Sequence, residues 1–330
     1  MTPEYMRDWG KHTHGSPLYA HLVGVIADDL QLMAIINRIE NTPRPNVLFA
    51  SVQYLLFKGA DPGLARFYRS MFDDPLPPPS VDRAFKEFVV AHSEELVDIG
   101  RSRLTQTNEC RRCVALLPMV WLANFSRFHL IDLGTSAGLN LALDRYSYRW
   151  GDLEWGSGGL VLEAESRGVS PAVRDIEILS RVGLDLNPID TASDDERLWL
   201  DALIWPEHEE RRSRLRQAIS RLGEVEFEMV AGDALVTLEQ VLERLPDDEP
   251  AVVMNSFVLI QFSEQQRNDV ERISDLARSR RPVHRVSMEV LIKRDDWARL
   301  IVDDGSGAKH VGEAHPHGDW IELYPSYAPP

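Results

Sequence analysis

Cysteine is almost absent from this chain, with two among 330 residues. No disulfide framework can be built on that number. Cys110 and Cys113 form a lone C-x-x-C, without the second pair of ligands that a zinc site needs. A redox dithiol would open a helix after a strand, whereas this pair lies inside a helical pattern. Both read as plain helix residues in a reducing cytoplasm, so the expected location is cytoplasmic and no metal site is expected. No stretch approaches the ~18 consecutive apolar residues of a membrane span. The opening residues, MTPEYMRDWGKHTHG, have no apolar core of a secretory signal. Positive charge is scarce too: 36 Lys and Arg stand against 52 Asp and Glu, for a net charge of −16 and a pI near 5.1. That field repels phosphate backbones and anionic lipids, so neither nucleic acid nor a membrane is expected as a partner. The one dense basic run, Arg211 to Arg216, is interleaved with acids. It reads as a solvated helix face, with Glu207–Arg211 and Glu210–Arg214 at the i,i+4 spacing.

What is present is enough for a sizeable core, with 44% apolar and 27% charged residues. Residues 1–104 read as a helical N-terminal region. Ser16 and Pro17 suit an N-cap and first turn, and Leu18, Leu22, Ile26, Leu30 and Met33 follow at helical spacing. A second helix is expected over Val47 to Lys58, and a rigid loop over the Pro-rich 73–79. Ser80 is expected to cap a third helix carrying Phe85, Phe88 and Val89. A fourth spans roughly Asn108 to Ala123. From Phe128 strands alternate with helices, which predicts a mostly parallel sheet covered on both faces. The expected strands are Phe128–Leu133, a segment ending at Asp185, Val225–Val230, Ala251–Met254 and Val283–Val290. Ser263-x-x-Gln266 reads as a capping box between the last two. Tyr146 to Gly159 looks like an inserted hairpin, and His310 to Tyr324 like a closing antiparallel hairpin that turns near Pro316-His317-Gly318. The α/β domain is expected to run over 105–330, with the insertion near 146–165.

The densest information lies in FHLIDLGTSAGLNLALDRY, from Phe128 to Tyr146. A strand leads to Asp132, then to the small-residue loop Gly134-Thr135-Ser136-Ala137-Gly138, then to an amphipathic helix-like stretch. That order makes a site where backbone N–H groups at a helix start can face a ligand. The nicotinamide pattern G-x-G-x-x-G is missing, and no Lys follows Gly138 as a Walker loop requires. Three expected strands end in an acid: Asp132, Asp185 and Asp233. Carboxylates at the strand tips suit a ligand with a ribose diol and amines, because an ionised Asp only accepts. Glycine at 134 and 138 would let the backbone come close. Each acid can also be simply a helix N-cap, Asp233 before Ala234 above all.

These motifs resemble class I S-adenosylmethionine-dependent methyltransferases. Asp132-x-Gly134-x-Ser136-x-Gly138 stands for the first motif, Val182-Gly183-Leu184-Asp185 for the second acid and Gly232-Asp233-Ala234 for the third. More narrowly, LGTSAGLNLALDRY, GLDLNPID, TQTNECRR and HPHGDW look like a methyltransferase-like bacterial family of unknown function. The resemblance implies a Rossmann-like methyltransferase-type sheet, mostly parallel with a C-terminal antiparallel hairpin. It implies S-adenosylmethionine as cofactor, held by Asp132, Gly134, Ser136, Ala137, Gly138, Asp185, Asp233 and Ala234. Asp132 would lie under the methionine end, Asp185 would take the ribose hydroxyls, and Asp233 would lie near the adenine amine. Glu163 or Glu165 competes with Asp185 for the ribose role. Asn255 and Ser256, at the end of the fourth strand, would hold the acceptor. Glu109 or Glu289 could serve as general base, and Asn108 and Arg112 as substrate contacts. The acceptor is an unknown small molecule or protein.

Two other functions remain. G-T-S-A-G is also a literal G-x-S-x-G, the elbow of an α/β-hydrolase, with Ser136 as nucleophile and His284, His315 or His317 downstream as base. Against it, the region before the elbow lacks the strands this fold needs, and no His-Gly oxyanion motif precedes Ser136. The third possibility is a non-catalytic nucleotide-binding or interaction module on the same scaffold, since fold does not fix function. His315 and His317 alone are too few for a metal and read as a surface turn.

Overall fold

Ser16 and Pro17 start a helix as their chemistry requires. The serine hydroxyl accepts from the Tyr19 N–H at 3.2 Å, and the proline, which has no N–H to lose, takes the first turn. The computed structural model describes residues 1–13, 15–290 and 297–327. Its helices are α1 (Pro3–Gly10), α2 (Pro17–Asp28), α3 (Leu30–Ile36), α4 (Arg44–Phe57), α5 (Pro62–Ala65), α6 (Asp82–Ala91), α7 (Ser93–Ser102), α8 (Cys113–Leu122), α9 (Asp194–Ala202), α10 (Glu209–Leu222), α11 (Ala234–Arg244) and α12 (Glu264–Arg278). The chain forms two compact units: Met1–Thr107 with Asp190–Leu215, and Asn108–Ile189 with Arg216–Pro330. The segment Asp190–Leu215, expected within the sheet domain, returns to the helical unit.

The helical unit is built around Leu18, Leu22, Ile26, Leu48, Val52, Phe85, Phe88 and Val89, all buried. The single helix expected through Met33 is instead two. The Asp29 carboxylate accepts from the N–H groups of Gln31 and Leu32 and starts α3 anew, which leaves Leu30 86% exposed. Ser80 does not cap α6: its hydroxyl donates back to the Pro77 carbonyl, and Val81 takes the cap position without a side-chain bond. Glu207 precedes α10, so its spacing to Arg211 is not a helical pair; it accepts from the Leu18 N–H at 3.2 Å.

In the second unit the strands are β1 (Arg127–Leu133), β2 (Ser147–Trp150), β3 (Leu153–Trp155), β4 (Val161–Gly168), β5 (Glu177–Asp185), β6 (Glu228–Ala231), β7 (Ala251–Ser256), β8 (Val283–Glu289), β9 (Ala298–Asp303), β10 (Ala308–Ala314) and β11 (Trp320–Leu323). They lie side by side as β3-β2-β4-β11-β10-β9-β8-β7-β1-β5-β6. The five neighbours β6-β5-β1-β7-β8 are parallel throughout, and β9 is antiparallel to β8. All five strands expected from the sequence are present, as are the hairpins β2–β3 and β10–β11 and the Ser263–Gln266 capping box. β4 and β9 stand outside the strands expected from the residue pattern. β4 pairs in parallel with both β2 and β11, so the insertion extends the same sheet. Ile131, Leu133, Val182, Leu184 and Val253 form one core with Leu238 and Val241 of α11 and Val270 and Ile273 of α12.

The amphipathic helix expected after Gly138 does not form. Leu139–Arg145 is a 3₁₀ segment broken at Ala142, with its carbonyls bonded elsewhere. Tyr146 Oη donates to the Leu139 carbonyl at 2.7 Å, Tyr148 Oη to that of Leu143 at 2.5 Å and Arg181 to that of Leu141 at 2.5 Å. Arg181 also grips both Asp144 oxygens at 2.8 Å. An α-helix needs those carbonyls for its own amides. The fourth helix likewise begins later than expected, because Cys110–Arg112 is a 3₁₀ turn ahead of α8.

α8 is buried along nearly its whole length although Pro118 interrupts it. Proline has no N–H, so the Val114 carbonyl loses its i+4 donor. Trp150 Nε1 donates to that carbonyl at 2.9 Å, and its ring meets Trp121 edge-on at 5.7 Å. Trp150→Phe keeps an aromatic ring but leaves the carbonyl buried without a donor. It should lower stability by about 1–3 kcal/mol in urea denaturation with an unchanged slope. Equal midpoints would show that this bond contributes nothing.

Candidate functional site

β1, β5, β7 and β8 end at one edge of the sheet, and the strand order reverses between β1 and β7. An open parallel sheet leaves a crevice at such a point. Asp132, near the end of β1, is 1% exposed, and Thr135 Oγ1 donates to its Oδ2 at 2.8 Å. Burial pushes its carboxyl up to about 7; the Thr135 bond and Arg112 oppose this, and the nearby charge of Asp185 adds to it.

The loop after β1 turns sharply because Gly134, Ser136 and Gly138 have φ of +72°, +53° and +79°. A Cβ on Gly134 would fall 2.2 Å from Val258 Cγ2, so only glycine fits there. Ser136 holds its left-handed conformation through three bonds. Its N–H donates to Asp185 Oδ2 at 2.7 Å, its carbonyl accepts from the Ile189 N–H at 3.0 Å, and its hydroxyl accepts from Asn108 Nδ2 at 3.0 Å. The Ala137 N–H donates to Asn108 Oδ1 at 3.1 Å. Those of Gly134 and Thr135 donate to the Leu184 carbonyl at 2.7 and 3.1 Å, and that of Gly138 to the Thr135 carbonyl at 2.9 Å. Every loop N–H already has an acceptor. The expectation of loop amides facing a ligand at a helix start is corrected on both counts.

Asp185 ends β5, next to β1. Its Oδ1 accepts from the Asn187 N–H at 2.8 Å, so both oxygens already hold backbone. Each retains a second lone pair, and Leu186 beside it is 70% exposed. Gly183 lets Thr135 and Met229 approach; a Cβ there would lie 2.5 Å from Thr135 Cγ2. The rivals Glu163 and Glu165 are on β4, which does not neighbour β1, and pair with Arg149 and Arg167. Asp185 is therefore the acid beside Asp132. Asp233 is exposed and caps α11, accepting from the Leu235 N–H at 2.9 Å, with Ala234 opening that helix.

Across the crevice, Asn255 and Ser256 end β7. Asn255 is occupied at both ends of its amide: Nδ2 donates to Glu289 Oε1 and Oδ1 accepts from Ser287 Oγ, each at 2.7 Å. Glu289 also accepts from the N–H groups of Val258, Leu259 and Ile260 at 2.8, 2.9 and 3.2 Å. Burial pushes its carboxyl up, and these bonds pull against that. It anchors the turn after β7 and does not face a substrate as a base. Arg112 packs 4.3 Å over the Phe257 ring; its Nε donates to the Pro316 carbonyl at 3.0 Å and its Nη1 lies 3.5 Å from Ser256 Oγ. Glu109 is buried and accepts from the Arg111 N–H at 3.2 Å. Cys110 and Cys113 are both buried, and burial pushes the Cys113 thiol up.

The hydrolase geometry is not assembled. The hydroxyl of Ser136 is held by an amide, which takes no proton, and no histidine is its partner among the described residues. His284 lies against Phe125, and His315 and His317 sit in the turn after β10. Among the described residues no group of His, Cys, Asp and Glu could hold a metal. No single described helix is long and apolar enough to cross a membrane. The bond from Thr135 to Asp132 and that from the Asn187 N–H to Asp185 had no signal beyond their motifs, and Ser287 had none in its own neighbourhood. Only the register that sets Ser287 opposite Asn255 points to it.

The proton on Asp132 ties stability to pH. Its folded value, about 7, lies above the ordinary 3.8. The native state therefore binds a proton that the unfolded chain has lost, and stability falls as pH rises from near 4 through 7. The loss is at most ~4 kcal/mol. Asp132→Asn, whose oxygen can still accept from Thr135, should be more stable than the parent in urea at pH 8, with a smaller gap at pH 5. A gap that does not widen with pH would refute the buried proton.

No curated protein and no solved structure matches the chain. The model of a family described as "uncharacterized protein conserved in bacteria (DUF2332)" matches residues 4–323. Since that match takes in nearly every residue, this chain belongs to that bacterial family.

Proposed function

We propose that this protein binds S-adenosylmethionine across the carboxyl ends of β1 and β5 and transfers its methyl group to a small-molecule or protein acceptor. The observation that carries the reading is that Asp132 and Asp185 stand at the carboxyl ends of adjacent parallel strands, β1 and β5, beside the reversal of strand order between β1 and β7. In chain order the parallel strands run 3-2-1-4-5, the doubly wound arrangement that takes nucleotides at this point. Asp185 has lone pairs for a ribose diol, and exposed Leu186 offers an apolar surface for a base. Asp132 supplies a carboxylate toward the sulfonium end.

Methyl transfer from a sulfonium needs little beyond alignment, because the leaving group is already activated. An acceptor with a proton to lose also needs a base. Glu289 is fully engaged and Glu109 holds the Arg111 N–H with one oxygen; Asp132, whose carboxyl burial pushes up to about 7, is the acid at the tip of β1 itself. A second reading, a non-catalytic nucleotide-binding or interaction module, draws on one observation: the loop amides and both Asp185 oxygens are satisfied inside the chain.

Calorimetric titration with S-adenosylhomocysteine tests the cofactor claim. The expected result is micromolar binding, about −8 kcal/mol, at least tenfold weaker in a correctly folded Asp185→Ala variant. No heat from folded parent protein would sink the claim. Binding without transfer of labelled methyl to any acceptor in a metabolite and protein extract would favour the second reading.

A further inference from the structure

At the opposite, amino end of the sheet, three side chains from separate segments form a hydrogen-bonded chain. Ser180 Oγ lies 2.7 Å from His129 Nδ1, and His129 Nε2 lies 2.7 Å from Glu249 Oε2. His129 is on β1, Ser180 on β5, and Glu249 in the loop before β7. A shift in the β1–β5 register after Phe128 brings Ser180, not Leu179, opposite His129. Such bulges re-aim side chains. The imidazole is shielded, with His129 7% exposed, while Ser180 is half-buried and the Glu249 side chain is 43% exposed. A carboxylate accepts only, so Glu249 draws the imidazole proton to Nε2 and leaves Nδ1 as the acceptor for the serine O–H. A nucleophile, a base within reach and a carboxylate that orients the base are the parts of an activated serine.

We propose that Ser180 is a nucleophile activated by His129 and Glu249, acting on activated carboxylic esters. In the first step Ser180 Oγ bonds to the acyl carbon and its proton passes to His129 Nδ1. The ester C–O bond breaks, and the leaving alcohol takes the proton. Water then attacks the acyl-serine, giving its proton to His129, and the released Ser180 oxygen recovers it as the carboxylic acid departs.

The test uses the full chain and diisopropyl fluorophosphate, which forms a serine O–P bond and releases fluoride. Intact mass should show one adduct, mapped to Ser180, absent in Ser180→Ala and retained in Ser136→Ala. Glu249→Gln, at an exposed position, should melt like the parent yet label roughly 100-fold more slowly, as should His129→Gln. Hydrolysis of p-nitrophenyl acetate should follow the same order. No adduct on folded protein, an adduct elsewhere, or labelling unchanged in Glu249→Gln would overturn the proposal and leave the three groups as the packing of a strand histidine.

Discussion

The left-handed turns after β1 are the constraint on which the second unit depends. A chain that leaves a central strand and reverses within five residues exposes a row of N–H groups, and buried N–H groups must find acceptors. Here Leu184, Asp185, Asn108 and Thr135 supply them. That requirement fixes several otherwise unrelated features. Gly134 is demanded by Val258, Gly183 by Thr135, and the tip of β5 must carry a carboxylate. The segment leaving the loop is drawn into a 3₁₀ path by Tyr146, Tyr148 and Arg181 instead of a helix.

The same constraint shapes what the site can do. In an open crevice a ligand competes for loop amides. In this protein it would meet a closed loop and would have to use side chains at the strand tips. Asp132 and Asp185 stay near one another at a cost in burial and repulsion, expressed in the raised carboxyl of Asp132. Groups that disfavour each other's charge and yet share a cleft are candidates for function. On the other side, Glu289 is committed to the Asn255 amide and three backbone N–H groups.

Much of this arrangement was legible in the residues. The five parallel strands, the Ser16 and Ser263 caps and the closing hairpin follow from patterns local in sequence. So does the nearness of Asp132 and Asp185, since acids that end successive parallel strands lie at one edge. The breaks were not legible, because each depends on a distant partner. Nothing near Leu139 announces that Arg181 will take the Leu141 carbonyl. Nothing near Asn255 announces Ser287 and Glu289, which turn an apparent catalytic amide into a structural one. Asp29 was readable in principle as a cap, but the helical spacing across it was the stronger pattern.

Strand period, capping and turn chemistry act over a few residues, so the five central parallel strands, the Ser16 and Ser263 caps and the acids at the strand tips are encoded locally. Which polar groups remain available was settled only when distant segments met. Folding assigned Asn108 and Asp185 to the loop and Asn255 and Glu289 to each other, and it joined His129 to Ser180 and Glu249. Hydrogen-bond satisfaction is a property of the whole buried neighbourhood, and no local pattern of residues encodes it.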